Sequence, residues 1–92
     1  MKTTTLDPKK ELEDDVDLEE NAKIILINDP VNTLDYVIDC LMKYCKHSEM
    51  QASQCALIVH NNGRYAVKEG EYLKLLPIKE ALTDAGLLAE ID

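Results

Sequence analysis

The stretch "AKIILINDP", residues 22–30, constrains this chain more than any other. A short apolar, β-branched run reads as a strand buried on both faces, and Pro30 ends it because proline has no N–H to give a ladder. Helical periodicity follows at once. Asn32 reads as an N-cap with Asp35 three residues on, and Leu34, Val37, Ile38, Leu41, Met42 and Cys45 fall at the i, i+3, i+4, i+7 spacing of one amphipathic stripe.

The rest of the chain continues in short elements. Ser48 with Gln51 reads as a capping box, and Ala52, Cys55, Ala56 and Val59 give a second helix with a narrow face of small residues, expected to stop at "HNNG". "RYAV" (64–67) is a second strand. "EYLKLLPIKEALTDAG" is helical with Leu75, Ile78 and Leu82 on one face, and Pro77 must kink it or mark a fresh start. "LLAEI" alternates after Gly86 and reads as the last strand. The order strand, helix, helix, strand, helix, strand implies an α+β domain with a small antiparallel sheet. Residues 1–21 differ: eight acids stand against three lysines there, large apolar residues are few, and such a segment cannot offset its ordering entropy. It is expected to be a disordered acidic extension, with the domain proper over 22–92.

Several function classes drop out. No run approaches the roughly 18 apolar residues of a membrane span, and the N-terminus lacks the apolar stretch of a secretory signal, so a cytoplasmic protein is expected. The net charge of −8 disfavours nucleic acid and anionic membranes and suits a basic or amine-bearing partner. Cys40, Cys45 and Cys55 form an odd set without metal-site spacing and read as small core hydrophobes. Only two histidines are present, thirteen residues apart, with no ligand spacing for a metal, and no glycine-rich phosphate loop occurs. No cofactor is expected. The residues left for chemistry are Asn28, Asp29, Asn32, His60, Asn61 and Asn62. Taken singly, Asn28, Asp29 and Pro30 could be a helix-initiating turn and His60 a polar helix end.

Taken together, "KIILINDPVNTLDYVIDCL" and "QCALIVHNNG" closely resemble the ClpS-type adaptors of the bacterial Clp protease. In that family an apolar strand leads into Asn-Asp, a capped helix follows, and the next helix closes on Val-His before a glycine. The resemblance covers residues 22–92 and is strongest over 23–63. It implies a three-stranded antiparallel sheet with three helices, similar to the C-terminal domain of the ribosomal stalk protein. It also implies a non-enzymatic N-degron reader, which captures a substrate whose first residue is Leu, Phe, Tyr or Trp. The captured protein would pass to the N-terminal domain of a Clp-type AAA+ unfoldase, and a monomer is the default expectation for this chain.

Carried over by position, Asn28, Asp29 and His60 would contact the substrate's α-amino group and first peptide bond. Asn32, Leu34, Val37, Ala56, Val59 and Leu87 would line the side-chain pocket. The chemistry suits these residue types, because a free N-terminus is a compact cation with several donors and seeks a carboxylate and an amide oxygen. Where many members of the family place methionine, this chain has Leu34 and Ala56; the second should widen one wall, so that either aromatic first residues fit better than Leu or β-branched ones are tolerated, and the first of these is expected. Pro30 stands where a second acid is common. The segment from His60 to Leu87 is also shorter than in the best-known members. Two other readings remain open at this point: a stalk-like interaction domain without an amine pocket, and a small hydrolase using Asp29 and His60 as acid and base.

Overall fold

The computed structural model describes residues 21–92, so the acidic extension expected over 1–21 lies outside the described residues apart from Asn21. The apolar run forms β1 (Ala22–Ile27), the central strand of a three-stranded sheet. It pairs antiparallel on one side with β2 (Arg64–Gly70) and on the other with β3 (Leu88–Ile91). Ala22, Ile24 and Leu26 are buried towards the helices, and Ile25 on the opposite face is buried as well. On that second face Lys23 is exposed and Ile27 only partly buried, as an antiparallel sheet with one wet face allows.

Helices α1 (Leu34–Tyr44), α2 (Glu49–Asn62) and α3 (Tyr72–Asp84) complete the α+β order read from the sequence. Ser48 Oγ accepts from the Gln51 N–H at 3.1 Å and starts α2. Ala52, Cys55, Ala56 and Val59 are its buried face, as their spacing implies. Small residues there let α2 lie close to its neighbours. α1 departs slightly from expectation: Cys40 and Leu41 are buried, while Met42 is exposed at the edge of the stripe. The buried face is turned towards Cys40 and Tyr44, one step round the helix from Met42.

All three cysteines are free and buried. Burial pushes the Cys45 thiol up to about 11, with Lys68 opposing and Cys55 adding to the rise, and burial raises Cys55 too. The Cys45 and Cys55 thiols stay protonated, and all three cysteines act as small core side chains.

α3 runs on through Pro77, so of the kink or fresh start that the sequence suggested, the fresh start does not occur. Proline removes the N–H that would bond the carbonyl of Leu73, but Leu73 is exposed and water can reach its turn of the helix. The helix therefore continues at a cost in stability. Pro77 is itself exposed, so its ring contributes little packing. Pro77→Ala should stabilise the domain by about 1–3 kcal/mol, which a urea titration would show as a higher midpoint at unchanged slope. A lower midpoint would mean that the ring contributes to packing after all.

The β1–β2 ladder shifts register between Ile24 and Ile25, with one extra residue, Val67, on β2. A bulge frees its residue from the ladder. The Val67 carbonyl accepts instead from His47 Nε2 at 2.9 Å, linking the α1–α2 connection to the sheet. A carbonyl can only accept, so Nε2 carries the proton and the buried Nδ1 is left without a partner. Burial holds the pKa of His47 below its ordinary 6.5, nearby Lys68 lowers it further, and the Val67 bond opposes them. Lys46, Lys68 and Glu69 are the charged groups around the same hollow.

Below pH 6.5 the unfolded chain takes up a proton that the folded chain resists. Stability is thus full above that pH and declines as pH falls towards the folded value. His47→Gln should flatten the decline in unfolding free energy between about pH 7.5 and 5.5. An equal decline in wild type and variant would assign it to other groups.

Candidate functional site

The connection from β1 to α1 is built around one carboxylate. Asp29 Oδ1 accepts the backbone N–H of Val31 and of Asn32, each at 2.9 Å. This is an Asx turn, in line with the helix-initiating turn that Asn28, Asp29 and Pro30 suggest when taken singly. Asn32 Nδ2 adds longer bonds to Oδ1 at 3.3 Å and Oδ2 at 3.2 Å, and donates to the Gly86 carbonyl at 2.9 Å.

Asn32 is therefore not the N-cap. Thr33 takes that position, its Oγ1 accepting from the Tyr36 N–H at 3.1 Å, and the helix starts one residue later than the sequence suggested. The Asx turn claims Asn32 for Asp29, which leaves the hydroxyl of Thr33 to meet one of the free N–H groups in the first turn of α1, that of Tyr36.

A second junction brings the end of α2 to the end of β1. Gly63 closes α2 with φ +94°, a conformation open to glycine, and its N–H donates to Val59 O at 2.8 Å. Its carbonyl then accepts from the Asn28 N–H at 2.9 Å. Asn28 at the strand end and His60 in the last turn of α2 are thereby brought to one side of the domain.

Between these junctions lies a cavity of about 360 Å³. Every residue carried over from the family resemblance lines it: Asn28, Asp29, Asn32 and His60 as the polar set, and Leu34, Val37, Ala56, Val59 and Leu87 as the apolar one. Ala56, Val59 and Leu87 are buried, while Asn28 and His60 are exposed, so the apolar part is the interior and the polar part the mouth. Leu26, Ile27 and Pro30 also contribute to the lining. The first two could have been anticipated, since they are the last residues of the strand that leads into Asn28. Asn61 and Asn62 do not line the cavity.

Asp29 is the charge at this mouth. The Asn32 backbone N–H is the main cause that holds its pKa below the ordinary 3.8; burial works against this, and the Asn32 side chain and Val31 N–H reinforce it. The group is a fixed anion. Oδ1 is occupied by the turn, and Oδ2 has only the longer Asn32 contact, so Oδ2 keeps acceptor capacity. Among the described residues, neither the Asn28 side-chain amide nor the His60 ring has a hydrogen-bond partner. An apolar hole with one anion and two uncommitted polar side chains at its mouth suits a cationic, donor-rich head joined to an apolar side chain.

The same geometry counts against acid–base chemistry. A general base works best with a pKa near the operating pH, and that of Asp29 is moved the other way. Among the described residues no group of His, Cys, Asp and Glu could hold a metal ion, and no helix is long and apolar enough to cross a membrane.

Comparison with known proteins gives a consistent picture. The family model for the ATP-dependent Clp protease adaptor protein ClpS matches residues 17–89. The ClpS adapter protein of Campylobacter jejuni subsp. doylei is 40% identical over 63 residues, which cover 68% of this chain and 60% of the relative. The ClpS adapter of Campylobacter jejuni subsp. jejuni serotype O:23/36 is 46% identical over 41 residues, 45% of this chain and 43% of its own. The chain thus spans at most about 60% of the length of these curated relatives. Among solved structures, Agrobacterium tumefaciens ClpS2 bound to L-phenylalaninamide is similar in fold, with a TM-score of 0.73 at 21% identity over 80% of this chain and 96% of the other.

Proposed function

Since the chain belongs to the ClpS family of Clp protease adaptors, we propose that its cavity captures the free N-terminal residue of N-degron substrates for delivery to a Clp-type AAA+ unfoldase. The observation that carries this reading is the joining of Asp29, Asn28 and His60 to an apolar interior in a single cavity. Asp29 Oδ2 and the Asn28 amide oxygen accept from the α-ammonium group, and His60 meets the first peptide bond. Leu34, Val37, Ala56, Val59 and Leu87 enclose a Leu, Phe, Tyr or Trp side chain. The ligand of the Agrobacterium relative, L-phenylalaninamide, combines a free amine with an aromatic side chain, which supports this choice.

The protein acts by binding and handover, as a cytoplasmic monomer, with the unfoldase's N-terminal domain as its docking partner. The chemical work of unfolding and cleavage belongs to the protease.

The direct test is fluorescence anisotropy of a labelled peptide beginning with Phe, titrated beside its N-acetylated form. Tight binding of the free amine and loss on acetylation are expected. Equal binding of both peptides, or of neither, would sink the reading and favour a stalk-like interaction domain.

A further inference from the structure

α3 ends in a Schellman turn. Gly86, at φ +98°, donates its N–H to Thr83 O, and Leu87 donates to Leu82 O, both at 3.0 Å. The turn satisfies carbonyls inside the last helical turn but supplies no donor to those of Ala85 and Gly86. Their partners come from about fifty residues earlier in the chain, at the start of α1. Tyr36 Oη–H donates to Ala85 O at 2.5 Å, and Asn32 Nδ2 donates to Gly86 O at 2.9 Å. The next residue, Leu87, is buried and forms part of the cavity wall.

We propose that Tyr36, which does not itself line the cavity, is a positioning residue for it: with Asn32 it clasps the Ala85–Gly86 corner and so fixes the Leu87 wall. The corner needs such a fastening. It leads into β3, which is only four residues long and pairs with the sheet on one side alone. Asn32 serves two masters, bonding Asp29 and Gly86 together, so the charged mouth and the Leu87 wall are held in one frame. Tyr36 holds only the wall.

The consequence for binding rests on the N-degron reading, whereas the clasp itself does not. A wall free to shift packs poorly against a large first side chain, but the amine contacts come from the β1–α1 connection and the end of α2. Selectivity for the side chain should therefore fall while dependence on the free amine stays.

Tyr36→Phe keeps the ring and removes the hydroxyl. The preference for a Phe-first over an Ala-first peptide should drop about three- to tenfold, with the ratio of free to acetylated binding unchanged. In a Leu87→Ala background the same substitution should have no further effect, because it acts through that side chain. Both ratios falling together, or neither falling, would overturn the proposal. In the peptide-free protein, methyl relaxation should show a lower order parameter for Leu87 in Tyr36→Phe, with Leu82 unchanged. A Leu87 as rigid as in wild type would overturn the clasp. A wild type that binds free and acetylated peptides alike would refute the N-degron reading instead, and the relaxation measurement would still decide the clasp.

Discussion

N-acetylation of a Phe-first peptide should weaken its binding at least about a hundredfold, and Asp29→Asn should cost the free-amine peptide most of that factor. Acetylation removes the positive charge and most of the donors of the α-amino group. Under such a ligand Asp29 Oδ2 would be left with only its longer Asn32 contact, and the Asn28 amide with no partner. Each unsatisfied group costs about 1–3 kcal/mol, so losing two reaches a hundredfold. The turn makes this cost hard to avoid. Asp29 cannot swing away to solvent, because its Oδ1 is bonded to the N–H groups of Val31 and Asn32. Nor can it readily take up a proton, since those same bonds hold its pKa below 3.8.

Asn is the informative substitution at this position. It keeps an oxygen for the two N–H groups of the turn and removes the charge, whereas Asp29→Ala also dismantles the turn. In the Asp29→Asn protein the free and acetylated peptides should bind within about tenfold of each other. A hundredfold preference that survived the substitution would show that the amine is recognised elsewhere.

The parts of this domain that were legible in the sequence are those set by local periodicity. Ala52, Cys55, Ala56 and Val59 mark the buried face of α2 because a helix places i, i+3, i+4 and i+7 on one side. The apolar run from Ala22 marks a strand because β-branched and aliphatic residues fit a pleated surface and Pro30 bounds the run. The cavity residues were found through resemblance to a family, since their convergence joins positions as far apart as Asn28 and Leu87, and no periodicity encodes that.

What the sequence hid depends on competition between partners. Asn32 and Thr33 are both good caps, and only the geometry of Asp29 decides that Asn32 belongs to the turn and Thr33 to the helix. The bond from Tyr36 to Ala85 is equally silent in one dimension, because a half-exposed tyrosine on an amphipathic helix has no feature that names a carbonyl 49 residues away. Val67 is hidden for a related reason. Its bulge becomes visible only once β1 fixes the register of β2.

Ala56 is where this cavity departs most from a generic apolar pocket, and replacing it should change which first residue is preferred. Ala56 belongs to the small buried face of α2, one turn before the mouth residue His60, and it lines the cavity. A side chain that stops at Cβ leaves depth for a ring. Aromatic side chains bury about 150–250 Å², and each buried methylene equivalent is worth about 0.8 kcal/mol, so wild type should favour Trp, Phe and Tyr over Leu. Ala56→Met puts a thioether arm into that depth. Forcing a ring against it costs about 1–3 kcal/mol, while the smaller Leu can share the space with a flexible methionine. Trp-first peptides should therefore lose about ten- to a hundredfold in affinity, and Leu-first peptides much less. The amine contacts lie at the mouth, so acetylation should still abolish binding in the variant. Competition titrations with Trp-, Phe- and Leu-first peptides against both proteins measure the change. If the ratio of Trp to Leu is the same in the two, the depth at Ala56 does not set selectivity, and the Leu34, Val37 and Leu87 walls must be where the first side chain is read.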